Sequence, residues 1–168
     1  MSHRLLAAIA VAGGLAASAP AALAQDESMK LARPDVTPAM HDVAVADLAW
    51  DNLEVPGFLP GMKIAPIHGD PSVADEPFTF RVAFPDGYKF PPHWHPRAEN
   101  VTVLEGTLLL AMGKKLDDSK LKSYAPGDYL FIAAENPHYG IMKGPTVLQI
   151  HGIGPFEIIV VEGQGMSP

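Results

Sequence analysis

One stretch of this chain leaves little choice of local structure. Phe78, Phe80, Val82 and Phe84 alternate with Thr79, Arg81 and Ala83. A period of two places the four bulky apolar side chains on one face, which is the mark of a half-buried strand. A helix would scatter them around its circumference. The run ends at Pro85-Asp86-Gly87, where proline presets φ and glycine tolerates positive φ, so the chain turns. Comparable runs follow. Residues 100–104 and 107–112 flank Glu105-Gly106 and read as a hairpin. Residues 123–125 and 129–133 flank Pro126-Gly127-Asp128, and Asn136-Pro137 turns the chain into residues 138–142. Lys143-Gly144-Pro145 separates these from residues 146–151, and residues 156–161 close the series. Only residues 114–122 look briefly helical, and no internal repeat is visible. Strands at this spacing, with no long helical pattern between them, predict an all-β sandwich or barrel.

Composition agrees. The 168 residues suit one ordinary domain, and 48% hydrophobic against 18% charged side chains is not a disordered composition. Seventeen prolines and fifteen glycines disfavour a helix bundle and suit a turn-rich β fold. Twelve basic against nineteen acidic side chains leave a net charge of −7, which argues against a nucleic-acid partner. The absence of cysteine removes disulfides, thiolate nucleophiles, cysteine zinc sites and iron–sulfur clusters together.

Residues 1–24 are set apart from the fold. Arg4 precedes an uncharged run from Leu5 that ends Ala22-Leu23-Ala24, the small-x-small pattern a signal peptidase accepts, followed by Gln25-Asp26-Glu27. Twenty uncharged residues could also just span a bilayer, but Gly13-Gly14, Pro20 and many alanines make the run weakly apolar. The expectation is a cleaved signal peptide and a periplasmic or secreted protein starting at Gln25, with no membrane association after cleavage. Residues 25–44 are polar, with no clean period, and read as a flexible arm free to dock on a neighbouring subunit, so a homodimer is the candidate assembly. Residues 45–168 carry the barrel.

The informative segment is residues 87–106, GYKFPPHWHPRAENVTVLEG. His93 and His95 lie two apart on an extended stretch, so both imidazoles share a face at roughly 7 Å backbone separation and can reach one metal. Glu99 follows after Pro96-Arg97-Ala98 and shares its parity with Val101 and Val103. An inward carboxylate on an apolar face is costly unless a cation pairs with it, and a metal ion also accounts for the two histidines. The competing reading is a surface HxH with a solvated Glu99.

The spacing Gly87-x5-His93-x-His95-x3-Glu99-x6-Gly106 resembles the first motif of the cupin superfamily in every residue type and interval. The second cupin motif follows twenty residues later in weaker form. Gly127 and His138 stand in register, while Ala133, Glu135 and Met142 replace its proline, glycine and asparagine. These departures put loop geometry in question more than metal binding. The resemblance spans residues 77–142 by motif and 45–162 by strand count. It implies a single-domain jelly-roll cupin barrel (a double-stranded β-helix) with a metal inside, and His138 as the third imidazole ligand.

Three neutral imidazoles and one carboxylate around a divalent ion suit Fe, Mn, Ni, Co, Cu or Zn, and leave open positions for a small-molecule substrate or ligand. Glu99 is also the ligand able to accept a proton, and is a catalytic candidate. His151 is the other. It shares a face with Val147 and Gln149, opposite Thr146, Leu148 and Ile150. If that face turns inward, His151 and Gln149 touch substrate or a metal ligand; if outward, they are ordinary surface polars, and parity alone cannot orient the strand. Phe90, Met112 and Met142 fit pocket lining or plain core. Arg97 fits a substrate carboxylate or the surface, and His41 and His68 read as arm and loop residues. Trp94 and Tyr139 should point away from the metal. The leading expectation is a dioxygenase-type oxidoreductase acting on a small enol, diketone or phenolic compound. The alternatives are a non-catalytic metal- or ligand-binding cupin and an oxygen-independent isomerase or lyase.

Overall fold

Alternation becomes a curled antiparallel sheet in the computed structural model, which describes residues 40–166. The expected signal peptide and residues 25–39 of the expected arm lie outside the described residues. In chain order the strands are β1 (Asp51–Leu53), β2 (Met62–His68), β3 (Pro77–Phe84), β4 (Lys89–Trp94) and β5 (Glu99–Met112), then β6 (Lys122–Tyr124), β7 (Tyr129–Ile132), β8 (His138–Ile153) and β9 (Ile159–Val160). The brief helix is a 3-10 turn at Asp118–Lys120, and another lies at Val45–Asp47. Among the described residues no helix is long and apolar enough to cross a membrane.

Two of these strands shape the whole. β5 and β8 pair along nearly their full lengths, and each belongs to two leaves of the sheet. The first half of β5 and the second half of β8 lie in one leaf with β1, β2, β3 and β7. The other halves form the second leaf with β4, β6 and β9. The leaves therefore fold over one another as a jelly roll, with the core between them.

The expected hairpin at Glu105-Gly106 does not form; the chain runs on as one strand through a register shift between Val103 and Thr107. The shift accounts for the hairpin-like pattern. Before it Glu99, Val101 and Val103 face in, and after it Leu108 and Leu110 do, so the parity changes as it would across a turn. Gly106 sits at the corner with φ 73°, and a Cβ there would collide with the Pro145 carbonyl and the Thr146 hydroxyl. The break expected at Lys143-Gly144-Pro145 is the matching corner of β8, also within one strand.

The inward face of β3 is the predicted one: Phe78, Phe80, Val82 and Phe84 are all buried. Val101, Leu130, Ile132, Leu148 and Ile150 join them in the first leaf, and Phe90, Leu108, Leu110 and Met142 come from the second. The end of the expected arm is not free. His41 donates from Nε2 to the Ile67 carbonyl at 2.7 Å, and its ring lies 5.8 Å from that of His68.

Candidate metal centre

The site is assembled at one end of the barrel from residues that begin or end strands. His93 lies near the end of β4 and pairs directly across the sheet with His138, the first residue of β8. His95 follows the end of β4. The excursion through Pro96-Arg97-Ala98 delivers Glu99 as the first residue of β5. Pro91 and Pro92 have no amide hydrogen to donate, and the β4–β8 ladder shifts register between Phe90 and His93. That irregularity sets the two histidine rings side by side, 4.3 Å between centroids.

All four side chains are buried, with relative exposures of 6% for His93, 3% for His95, 4% for Glu99 and 2% for His138. The three imidazoles can bring ligand nitrogens within 4.8 Å of one another. Their tautomers follow from their hydrogen bonds. Nδ1 of His93 donates to the Pro91 carbonyl at 2.8 Å, Nδ1 of His95 to the Glu157 carbonyl at 2.7 Å, and Nδ1 of His138 to the Asn136 carbonyl at 3.1 Å. A carbonyl only accepts, so each neutral ring carries its proton on Nδ1 and presents a bare Nε2 lone pair. Glu99 Oε2 lies 3.4 Å from Nε2 of His95 and 3.5 Å from Nε2 of His138. Neither Nε2 of His95 nor Oε2 of Glu99 has a hydrogen-bond partner.

These spacings do not describe ion pairs. Burial pushes His95 down to about 4 and Glu99 up to about 8, so at neutral pH the metal-free pair is uncharged. His93 falls well below the ordinary histidine value through burial and then through its His138 and His95 neighbours, and burial lowers His138 as well. Three imidazole lone pairs and a carboxyl group thus converge in a buried space, and His95 Nε2 and Glu99 Oε2 are left without a hydrogen bond. Orphaned buried acceptors are costly, and a cation among them removes the cost. The four side chains fit a divalent transition metal, His93, His95, Glu99 and His138 being the residues that would hold it.

The surroundings hold the rings in place. Phe156 stacks on His95 at 4.2 Å and 17°, and Phe58 and Phe90 set their edges near His93 at 5.0 and 5.5 Å. The Glu157 carbonyl and Phe156 lie in the segment between β8 and β9, expected from sequence only as part of a closing strand. A backbone acceptor leaves no signature in residue type. The centre opens into a cavity of about 230 Å³ whose other walls include Phe80, Val82, Val101, Leu110 and Ile150.

His151 does not belong to this site. In the register of β3, β8 and β5 it stands between Thr79 and Asn100, on the face opposite Leu148 and Ile150, and it does not line the cavity. Its inward expectation fails because Leu148 and Ile150 claim the core side of β8, and Gln149 goes out with it to accept from Arg81 Nε at 3.2 Å. Of the other pocket candidates, Phe90 lines the cavity, Met142 is core, and Met112 is 48% exposed. Arg97 meets Asp75 at 3.0 Å on the surface, a pairing of little energetic weight. Tyr139 points away from the centre, its hydroxyl donating to the Asp117 carbonyl at 3.0 Å.

Comparison with known proteins agrees with this architecture. Residues 80–154 match the cupin domain family. No curated protein sequence matches the chain. Solved structures that share the fold include the polyketide cyclase RemF from Streptomyces resistomycificus, at 22% identity and TM-score 0.59 over 73% of this chain and 85% of that one. A proposed acetylacetone dioxygenase from Methylibium petroleiphilum PM1 aligns at 15% identity and TM-score 0.60, over 80% and 91% of the two chains. The DMSP lyase DddQ from Ruegeria pomeroyi DSS-3 aligns at 20% identity and TM-score 0.55, over 71% and 64%. The match over residues 80–154 and the shared fold support a cupin-superfamily domain with the jelly-roll architecture, and His93, His95 and His138 are grouped so that they could hold a metal ion.

Proposed function

We propose that the protein is an exported metal-dependent enzyme, a dioxygenase-type oxidoreductase that cleaves a small enol, diketone or phenolic compound with dioxygen as oxidant. One observation carries the reading: three imidazole nitrogens and a carboxyl group converge, two of their atoms unpartnered, at the end of a cavity whose walls are otherwise apolar. A divalent transition ion held there supplies Lewis acidity and redox chemistry toward dioxygen. The chain supplies the rest. The Nδ1–carbonyl bonds fix ring orientation, so the lone pairs stay aimed without reorganisation. The apolar walls exclude bulk water from a reactive oxygenated substrate. Among the described residues Glu99 is the one carboxyl group in the cavity and the group able to hold or pass a proton there. An acetylacetone dioxygenase description on one fold neighbour names a substrate of this class and supports the choice. Export rests on the Ala22-Leu23-Ala24 pattern, and mass spectrometry of the periplasmic fraction should find a chain beginning at Gln25.

The test of activity is to load the protein with iron, manganese, nickel, cobalt, copper and zinc in turn and follow oxygen uptake with a panel of diketones and catechols. Uptake with at least one metal, lost in the His93→Ala/His95→Ala double variant, is expected. Turnover without oxygen would replace this reading with an isomerase or lyase, and tight binding of unreacted ligand with every metal would replace it with a binding protein.

A further inference from the structure

The walls of the cavity define its ligand more narrowly than the metal centre does. Of the described residues that line it, only His93, His95, Glu99 and His138 are polar. Among the described residues no lysine, arginine, hydroxyl or amide side chain faces the space. The partly exposed lining residues, where the cavity meets solvent, include Leu53, Phe58, Ile64, Pro71 and Ile158, so the entrance is apolar as well.

Register adds depth to this. Along the first leaf Glu99 pairs with Gly152, Val101 with Ile150, and Val103 with Leu148; Val82 pairs with Leu148 on its other side and with Ile64 beyond. Val82, Leu148 and Ile64 all line the cavity. They stand four residues along β5 from the carboxylate, roughly 13 Å at the rise of an extended strand. The cavity is thus a slot with its polar groups at one end and an aliphatic and aromatic barrel at the other. Its volume of about 230 Å³ exceeds the ~150 Å³ in which an apolar cavity holds a benzene ring, so a monocyclic body with a short tail fits.

We infer that the ligand has a single chelating oxygen head and a wholly apolar body running away from it toward Ile64 and Val82, and that the cavity rejects any second charge or hydroxyl on that body. This rests on the oxygenated-substrate reading above and narrows it. A carboxylate on that body, short of the partly exposed Ile64 edge, would lose its hydration and meet no cation, and a polyol would meet no acceptor or donor beyond the metal ligands. Sugars, sugar acids and dicarboxylates are excluded on the same ground. Among phenolic compounds the alkyl-substituted ones are selected over their acid analogues.

The experiment is an anaerobic titration of cobalt-loaded protein with catechol, 4-methylcatechol, 4-ethylcatechol and 3,4-dihydroxybenzoate, read by the cobalt absorption bands and by calorimetry. These probes share one head. Each added methylene should tighten binding by about fourfold, as burial of one CH₂ does. The carboxylate should weaken binding at least ~100-fold relative to 4-methylcatechol. Ile64→Arg, which sets a cation on the partly exposed edge of the slot, should recover at least ~10-fold of the carboxylate's loss and abolish the gain from the ethyl group, while Ile64→Met keeps the wild-type order. The wild-type series stands as a test by itself if the arginine variant does not fold. Acid binding as tightly as 4-ethylcatechol in the wild type overturns this inference and leaves the enzymatic reading intact. Binding of none of the four, with cobalt retained, overturns both.

Discussion

Residues 87–106 and 127–142 carry the two cupin motifs, and they tolerate departure very differently. In the first, His93, His95 and Glu99 converge on one centre and Gly106 at φ 73° lies where a Cβ would strike Pro145 and Thr146, while Gly87 only turns, at φ 70° with open space around its Cβ position. In the second, His138 is the one side chain that reaches the site. Gly127 turns at φ 94° with open space around its Cβ position. Glu135 occupies the glycine position of the motif and still adopts φ 60°, its amide donating to the His95 carbonyl at 2.8 Å. Met142 replaces the asparagine and packs into the core. A motif position is intolerant where it supplies a ligand or a close approach, and permissive where it only asks for a turn.

The largest expected effect tests the ligands in both segments. Metal analysis should find about one divalent ion per chain in the wild type and none in His93→Ala/His95→Ala, and His138→Ala should lose it as completely despite its degenerate surroundings. Retention in His138→Ala would break the equivalence of the two segments. Next comes the contrast of glycines. Gly106→Ala should cost about 2–4 kcal/mol in urea unfolding, since left-handed strain and a steric collision add. Gly127→Ala carries the strain alone, partly offset in the unfolded chain, and should cost about 1 kcal/mol. Equal costs would mean that the collision is relieved by a small shift of the β8 corner.

A third test concerns pH. In the metal-free protein burial raises Glu99 to about 8, so the stability tied to its proton is complete below the ordinary carboxylate value and is lost as pH rises through about 8. His95, lowered to about 4, acts oppositely: its contribution is present above the ordinary histidine value and lost as pH falls through about 4. Between roughly pH 6.5 and 8 only the carboxylate slope remains. Thermal melts of the metal-free protein should therefore decline across that window, and Glu99→Gln should flatten the decline. An unchanged slope in the variant would place the titration elsewhere. The smallest effect belongs to Glu135→Gly, which releases left-handed strain but adds unfolded-state entropy, for a net gain of about 0.5–1 kcal/mol. A loss would show that the Glu135 side chain makes a favourable contact.

Much of this was legible from residue order, because strand geometry converts spacing into facing. Alternation in residues 78–84 placed four side chains inward, and the two-residue interval of His93 and His95 with the inward parity of Glu99 brought three candidate ligands together. The resemblance to the second motif added His138. Orientation and continuity were not legible. Parity divided Gln149 and His151 from Leu148 and Ile150 but could not say which pair met the core; pairing with Phe80 and Val101 decides that. Gly106 and Gly144 look like turn residues in sequence and are corners inside long strands, because a bulge and a hairpin require the same positive φ. The carbonyls of Pro91 and Asn136 lie two residues from the rings they orient, whereas the shape of the slot and the Glu157 carbonyl that orients His95 from 62 residues away belong to tertiary structure. Backbone acceptors are present at every residue, and for His95 only the packing of a distant segment selects which one the buried ring reaches.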